Sequence, residues 1–447
     1  MKAIGIDIGT TTICCIAVDV QTGDIIKSDT IPNDSFIEDC KIFEKLQDPE
    51  KIIKKVLDLA EDYYHKFEKI VAIGITGQMH GILYLDKNGN SVSPLYTWQD
   101  KRGDTYSGEK TYTEIFSETT NSNAATGYGL VTHFYNVKNN IVPKSATQIS
   151  TIHDYAAMRL CGLNKAITHI SDAASLGAFN MKENNFNTDA LNKLGIKNEI
   201  LPEVTDNSKI VGKYKEIPVA VAIGDNQASF IGSVKDEDML LINIGTGSQV
   251  SVIADTDTMK GDCEIRPLYG NKRISVGACL CGGRAYNNLF DFFKKVGKQL
   301  FNVENDRLYS AMDALVSTKN TLTVDTRFSG TRKSPEIRGS INGIDTNNFT
   351  PAALITGTLE GMVDELENLY DQMKSVASKP SKLIIGSGNG IRLNKPIRRI
   401  IEERFRMKIL IPKHREEAAF GAVIFSLVAS GEYSSIKEAQ NALIKYE

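Results

Sequence analysis

Apolar residues in this chain follow two spacings that alternate along its length. Ala3–Ile8 and Ile13–Val18 are short runs rich in Ile and Val, separated by Gly9-Thr10-Thr11-Thr12, and they predict two strands joined by a turn. Asp19–Asp24 then supplies polar, glycine-containing turn residues, so the opening predicts antiparallel strands. From Pro49 to Phe67 the spacing changes: Ile52, Ile53, Val56, Leu57, Leu59 and Ala60 recur at helical intervals. Ile70–Thr76 and Ile82–Leu85 return to strand character and bracket Gly77-Gln78-Met79-His80-Gly81. Short β-rich runs alternating with longer amphipathic stretches argue for α/β layers.

One pattern occurs twice. Ile6-Asp7-Ile8-Gly9-Thr10-Thr11-Thr12 is echoed by Ile242-Asn243-Ile244-Gly245-Thr246-Gly247-Ser248, each a strand, a Gly-Thr turn and a second strand. The second copy begins about one domain length after the first. Two similar domains are the economical explanation, expected over 1–232 and 233–447. The division is placed there because the chain turns polar and charged over Ser233–Asp238, after Asp225-Asn226-Gln227-Ala228-Ser229. No repeat with a period of about 20–50 residues is visible, which argues against a solenoid. A further glycine-rich segment, Leu383-Ile384-Ile385-Gly386-Ser387-Gly388-Asn389-Gly390, reads as a buried strand entering a flexible turn, with a helix through Lys395–Phe405. A strand–turn–helix unit of this kind suits a nucleotide, because the backbone can approach closely and the helix N-terminus faces the ligand.

Composition narrows the class. A chain of 447 residues with net charge −3 has room for about two to three domains and no charge bias toward nucleic acid or an anionic membrane. The densest basic cluster, Arg398, Arg399, Arg404 and Arg406, is interleaved with Ile and Glu and reads as a solvated helix face. The seven cysteines form no C-x-x-C pair and most lie in apolar runs, so reduced thiols in a reducing compartment are expected. The chain opens directly into a strand-like run without a signal-type apolar segment, and no uncharged apolar stretch approaches about 18 residues. A cytoplasmic enzyme without nucleic-acid or membrane partners is the expectation.

The chemistry sits at the turns. A Walker P-loop is absent, so phosphate must be held otherwise. Glycine in a Gly-Thr turn lets backbone N–H groups approach a phosphate, and the threonine hydroxyl adds a donor. Asp7, just before the first turn, has the hard oxygen chemistry to hold Mg²⁺ directly or through water. Gly9-Thr10 alone would read as a hairpin turn; two such turns and an acidic residue favour phosphate. Asp225, after an apolar strand, is either a helix N-cap or a catalytic carboxylate. His80 between glycine turns is either structural or ligand-facing. Trp98, the single tryptophan, is either core or a flat platform for a ligand. His153-Asp154 suggests a pair but lacks further ligands for a metal or nucleophile site, and reads as packing behind a site. Cys14 and Cys15 read as small buried fillers beside the first turn.

The segments Gly5–Thr12, Gly77–Gly81, Trp98–Arg102, Gly224–Ser229, Asn243–Ser248 and Gly386–Gly390 stand in the order found in the FGGY carbohydrate kinases, which the chain resembles over nearly its whole length. The resemblance implies two ribonuclease H-like domains of the actin/Hsp70/hexokinase ATPase type around a central cleft. It also implies transfer of the γ-phosphate of Mg-ATP to the terminal hydroxyl of a ketose, with ATP as co-substrate. Thr151-Ile152-His153-Asp154-Tyr155 and Leu160-Cys161-Gly162-Leu163 look like the sedoheptulokinase subgroup, with xylulokinase or ribulokinase as alternatives.

By resemblance, Asp225 is the catalytic base and Asp7 the residue that orients the metal. Thr10, Thr11 and Thr12 match the first phosphate loop, and Gly245 and Thr246 the second. Gln78, Met79, His80, Trp98 and Asp100 match the sugar-facing set; Gly386, Gly388, Asn389 and Asn394 match the adenosine side. An actin- or Hsp70-like ATPase switch without a sugar is the alternative of another class, and Asp225 together with Gln78–His80 argues against it. A sugar-binding regulator with dead chemistry is opposed by the intact Asp7, Thr246 and Asp225. Cys281 stands where the family has asparagine before Gly282-Gly283, which leaves the contact made there open. The chain is somewhat short for the family, and a homodimer is compatible with the resemblance.

Overall fold

A computed structural model describes residues 1–317, 322–331, 334 and 336–447. The chain forms two compact units, one of Met1–Lys235, Pro267–Lys272 and Glu416–Lys445, the other of Asp236–Arg266, Arg273–Arg415 and Tyr446–Glu447.

In the first unit, β1 (Lys2–Ile8), β2 (Thr12–Asp19) and β3 (Ile25–Pro32) form the antiparallel meander that the turn residues predict. Helix α1 (Pro49–Lys66) follows; Asp48 caps it by accepting from the N–H groups of Glu50 and Lys51, and Pro49 occupies the first turn. Strand β4 (Ile70–Gly77) returns parallel to β1. The middle of the unit supplies α2 (Ile152–Leu160) and α3 (Ile170–Leu176). Strands β5 (Ile210–Tyr214), β6 (Ile217–Ala220) and β7 (Ile223–Gly224) complete the sheet, in the order β5-β6-β4-β1-β2-β3 with β7 on β4. Helix α4 (Asp225–Ser233) begins where β7 ends. Ile4, Ile6, Ile8, Ile73 and Ile75 of the sheet pack with Ile52, Val56 and Tyr63 of α1 and Tyr155 of α2.

The second unit repeats the plan with β8 (Met239–Ile244), β9 (Ser248–Ala254), an edge strand β10 (Glu264–Pro267) and β11 (Arg273–Cys279). Helices α5 (Gly282–Val296) and α6 (Pro351–Met373) precede β12 (Leu383–Ser387). The short helix α7 (Asn389–Leu393), α8 (Lys395–Phe405) and β13 (Lys408–Leu410) follow. The order is β10-β11-β9-β8-β12-β13. Each unit therefore has a central strand (β1 or β8) with two antiparallel neighbours in succession on one side and two parallel strands on the other. The short echo in the sequence marks a duplicated architecture. The basic cluster lies on α8, where Arg404 pairs with Asp364 at 2.6 Å, in keeping with a solvated face.

The last helices, α9 (Glu417–Ala429) and α10 (Ile436–Leu443), belong to the first unit, which a contiguous division at 232/233 does not provide for. The reason is packing. A helix buried over Ala419–Leu427 needs apolar surface on several sides. It lies so close to the sheet that a Cβ on Gly5 would stand 2.3 Å from the Ala419 carbonyl oxygen, and one on Gly74 2.0 Å from that of Ala422.

Candidate active site

The first unit gathers carboxylates where β1, β7 and α9 end or begin. Asp7 is the penultimate residue of β1, paired with Cys14 on β2 and Thr76 on β4. Its Oδ1 is buried without a hydrogen-bond partner among the described residues. Burial, then the negative charges of Asp225 and Glu416, push its pKa up to about 7, and His153 acts in the opposite sense. Asp225 is the first residue of α4, a position that favours negative charge. Its helix is fixed by α9: a Cβ on Gly421 would lie 1.8 Å from the Ala228 carbonyl oxygen, and one on Gly232 2.2 Å from that of Glu417. Sequence reasoning missed Glu416, which precedes an apolar helix remote in the chain and has no glycine turn to mark it.

The sugar-facing residues expected from the sequence separate into two groups. Gln78, Thr10 and Trp98 are joined. The Thr10 hydroxyl donates to Gln78 Oε1 at 3.1 Å and accepts from Trp98 Nε1 at 3.0 Å. Gln47, also missed, closes the ring: it accepts from Gln78 Nε2 at 2.8 Å and donates to the Thr10 carbonyl at 2.9 Å. Trp98 is 46% exposed, so it is no core residue, and Thr11 and Thr12, which follow Thr10 on the turn, are exposed as well. His80 adopts φ +73°, stacks on Tyr128 with centroids 4.5 Å apart, and its Nδ1 donates to the Ser175 carbonyl at 2.7 Å. Met79 is buried with its thioether against Gly224.

Asp100 behaves differently from the expectation. It is fully buried, and its two oxygens accept from Arg102 Nε at 2.7 Å, Arg102 Nη2 at 3.1 Å, and the N–H groups of Arg102 and Lys45, each at 3.1 Å. The carboxylate is absorbed by a buried guanidinium two residues away, a contact invisible to a reading that sees only a polar residue after Trp98.

Behind these residues lies His153, second residue of α2, fully buried and in ion-pair contact with Asp172 of α3 at 2.9 Å between Nε2 and Oδ1. Burial alone would lower its pKa; the charges of Asp172, Asp154 and Asp225 outweigh burial and raise it to about 9. Asp154 is raised chiefly by burial and accepts from the Thr168 hydroxyl. Ligand-type atoms of His153, Asp154 and Asp172 lie within 4.8 Å of one another.

In the second unit the Gly245-Thr246-Gly247 turn is exposed at Gly245 and Thr246 and is seated on the start of α5. Gly283 N–H donates to the Gly245 carbonyl and Arg284 N–H to that of Thr246, each at 3.0 Å. A Cβ on Gly282 would fall 2.4 Å from the Gly247 carbonyl carbon, which explains the glycine pair. Cys281 precedes it as a buried N-cap that makes no side-chain capping bond, so the contact left open in the sequence is apolar packing. Gly386 lies on β12, and Gly388, at φ +80°, passes 2.5 Å (ideal Cβ to oxygen) from the Ile244 carbonyl. This brings Asn389 beside the end of β8, exposed. Asn394 instead caps α8, accepting from Ile397 N–H at 2.9 Å. A separate, mostly apolar cavity of about 410 Å³, lined by Leu289, Val324, Phe328, Ile341 and neighbours, contains none of the residues expected from the sequence.

Two units of identical central topology, each with a Gly-Thr turn after its central strand, define the actin/Hsp70/hexokinase class of ATPase fold. Residues 2–242 match the N-terminal domain, and residues 240–430 the C-terminal domain, of the FGGY family of carbohydrate kinases, and the chain belongs to that family. It is therefore an ATP-dependent carbohydrate kinase. A sedoheptulokinase of Mus musculus is 26% identical over 398 residues, covering 81% of this chain and 82% of the relative. A xylulose kinase of Staphylococcus xylosus is 24% identical, covering 99% and 94%. The ligand-bound xylulose kinase of Lactobacillus acidophilus superposes with TM-score 0.86 at 20% identity, over 100% of this chain and 92% of that one. Among the described residues no helix is long and apolar enough to cross a membrane.

Proposed function

We propose that the chain transfers the γ-phosphate of ATP to the terminal hydroxyl of a ketose, with sedoheptulose giving sedoheptulose 7-phosphate. The observation that carries the reading is the gathering of Asp7 and Asp225 in one unit, close enough for the charge of Asp225 to raise the pKa of Asp7. Asp225 accepts the hydroxyl proton as the sugar oxygen bonds to the γ-phosphorus and the bond to the ADP oxygen breaks. Asp7, with a buried oxygen that has no hydrogen-bond partner among the described residues, fits a hard cation or its water. A Mg²⁺ ion held there supplies neutralisation of the charge on the phosphoryl oxygens. Thr11, Thr12 and Thr246 offer exposed hydroxyl donors to phosphate, Gly245 shapes the second turn with its N–H on the Gly247 carbonyl at 2.9 Å, and Gly386, Gly388 and Asn389 make the adenosine side. Asn394 contributes by capping α8.

Gln78, His80 and Trp98 face the sugar. With Met79 they include no side chain of fixed positive charge, which suits a neutral sugar better than a sugar acid. Sedoheptulose is preferred on the likeness of Thr151–Tyr155 and Leu160–Leu163 to the sedoheptulokinases. Misplacing the reacting oxygen by about 1 Å costs about 10²-fold, so a site fitted to seven carbons handles five poorly. Asp225→Asn is expected to lower kcat by about 10²–10⁴ while sugar binding persists in calorimetry; near-normal turnover would remove Asp225 from the role. Coupled assays should give sedoheptulose a kcat/KM at least about tenfold above xylulose or ribulose. The reverse order would overturn the seven-carbon assignment alone.

A further inference from the structure

We propose that Asn33 is a positioning residue for the nucleotide: its side-chain amide holds the Gly9 carbonyl so that the N–H of Thr10 is aimed at a phosphate of ATP. The inference rests on the reading of the Gly9–Thr12 turn as a phosphate loop.

Four consecutive carbonyls, at the end of β1 and in the turn, are held from outside the turn. That of Ile8 accepts from Gln78 N–H at 2.9 Å, that of Gly9 from Asn33 Nδ2 at 2.8 Å, that of Thr10 from Gln47 Nε2 at 2.9 Å, and that of Thr11 from Asn33 N–H at 2.8 Å. A trans peptide is planar, and its C=O and N–H point in opposite directions. Each carbonyl so held therefore aims the N–H that follows it the other way. Among the described residues the N–H groups of Thr10 and Thr11 have no hydrogen-bond partner. The turn thus commits its acceptors to the protein and leaves donors over, the arrangement that suits an anion.

Asn33 is itself fixed in place. It follows β3 directly and is buried, and its backbone bond to Thr11 seats it beside the turn whatever its side chain. Its Oδ1 accepts from the hydroxyl of Ser35, a fully buried residue, at 2.7 Å, which leaves Nδ2 as the end that faces Gly9. The Ser35 carbonyl accepts from Asp48 N–H at 2.8 Å, so this segment is fastened to the residue after Gln47.

The amide matters because its target is a glycine. Without a Cβ at residue 9, sterics restrict the Gly9–Thr10 peptide plane little. Once the Gly9 carbonyl loses the Asn33 donor, the plane can tilt and bring a carbonyl dipole toward the phosphate in place of an N–H. Tilting a plane between two fixed Cα atoms leaves their side chains where they are, and Thr10 keeps its bonds to Gln47, Gln78 and Trp98. The loss therefore falls on ATP rather than on sugar, and on the phosphate chain rather than on the adenosine.

The test compares N33L, S35A and T12V in the full chain by thermal unfolding and by calorimetry with ATP, with adenosine and with the ketose that coupled assays select. N33L keeps the size of the side chain and the backbone bond to Thr11 while removing the amide. It is expected to weaken ATP binding at least about tenfold, the worth of one hydrogen bond to a charged group, with adenosine and ketose affinities within about threefold of the natural protein. If N33L does not fold, S35A decides: it leaves Asn33 in place but frees its amide to turn over, and should weaken ATP alone by at least about threefold. An S35A that binds ATP normally then overturns the proposal. Unchanged ATP affinity in a folded N33L overturns it, as does a loss equally large for adenosine or for the ketose. Unchanged ATP affinity in both N33L and T12V would remove the phosphate from this turn altogether, whereas a weakened T12V beside a normal N33L would overturn this inference alone.

Discussion

Replacing Asp100 by Asn separates a structural carboxylate from a sugar ligand. In the natural chain the Arg102 side chain is buried to within 1% and its Nε lies 2.7 Å from Asp100. Breaking a buried pair by removing one partner costs about 3–5 kcal/mol, since the other charge stays uncompensated. Several contacts soften the loss here. Glu44 lies 3.5 Å from Arg102, Asn136 accepts from its Nη1 at 2.6 Å, and the Tyr96 ring lies 4.2 Å beneath the guanidinium. The lower end, about 3 kcal/mol, is therefore expected. At about 2–4 °C per kcal/mol for a domain of this size, the first unit should melt about 6–12 °C earlier. Two units need not unfold together, so calorimetry should follow the transition that moves. Measured well below that transition, kcat/KM should stay within about threefold of the natural value if the only effect is stability. An unchanged melting temperature with a sugar KM raised more than about tenfold would refute this reasoning and return Asp100 to the sugar.

Gly421→Ala places a methyl 1.8 Å from a backbone oxygen of α4, and overpacking of about 1–3 kcal/mol should appear as a lower melting temperature together with reduced kcat, because α4 carries Asp225; a stabilised or fully active variant would contradict the packing argument. His133 and His169 are held neutral, burial lowering each pKa to about 4. Folded values below the unfolded value of about 6.5 mean their contribution is complete above about pH 6.5 and is lost as pH falls through 4, about 3 kcal/mol each; urea midpoints that do not decline over that window would refute this. Thr10→Val should raise KM for sugar more than for ATP, and Thr12→Val the reverse, in steady-state kinetics; an ATP-only effect at Thr10 would oppose the network described above.

Much of this was legible in the sequence because it is local. The Gly-Thr turns, the helix from Pro49 and the helix over Lys395–Phe405 are each written in a few consecutive residues. The duplicated plan was legible from one short echo, since the turn sits at the same place after each central strand. What escaped was contact at a distance. Glu416, Gln47 and Asp172 reach the site from helices and short strands whose sequence reports only their own packing. The pairing of Asp100 with Arg102 escaped for the same reason: polarity marks a residue as a candidate for function, and only the fold shows which charge it meets. The final helices return to the first unit because glycines at Gly5 and Gly74 admit them, a complementarity spread over some four hundred residues.

The Thr10 network bears on how one short turn would serve the two ligands proposed for it. A hydroxyl has a single hydrogen, and that of Thr10 is directed to Gln78. Its oxygen meanwhile orients the Trp98 indole. The Thr10 hydroxyl in this arrangement has no proton to offer a phosphate, so the hydroxyls left for that purpose on the turn are those of Thr11 and Thr12, both exposed. The turn is thus divided: its first threonine faces inward to the sugar-side residues, and the next two face outward. Gln47 makes the division rigid by tying the Thr10 carbonyl to the Gln78 amide. Any shift of Gln78 or Trp98 on binding sugar must then pass to the backbone between Gly9 and Thr12, the segment with which ATP phosphates are proposed to engage. Within one unit, the covalent chain and four hydrogen bonds make the residues proposed to meet sugar and those proposed to meet nucleotide one mechanical element.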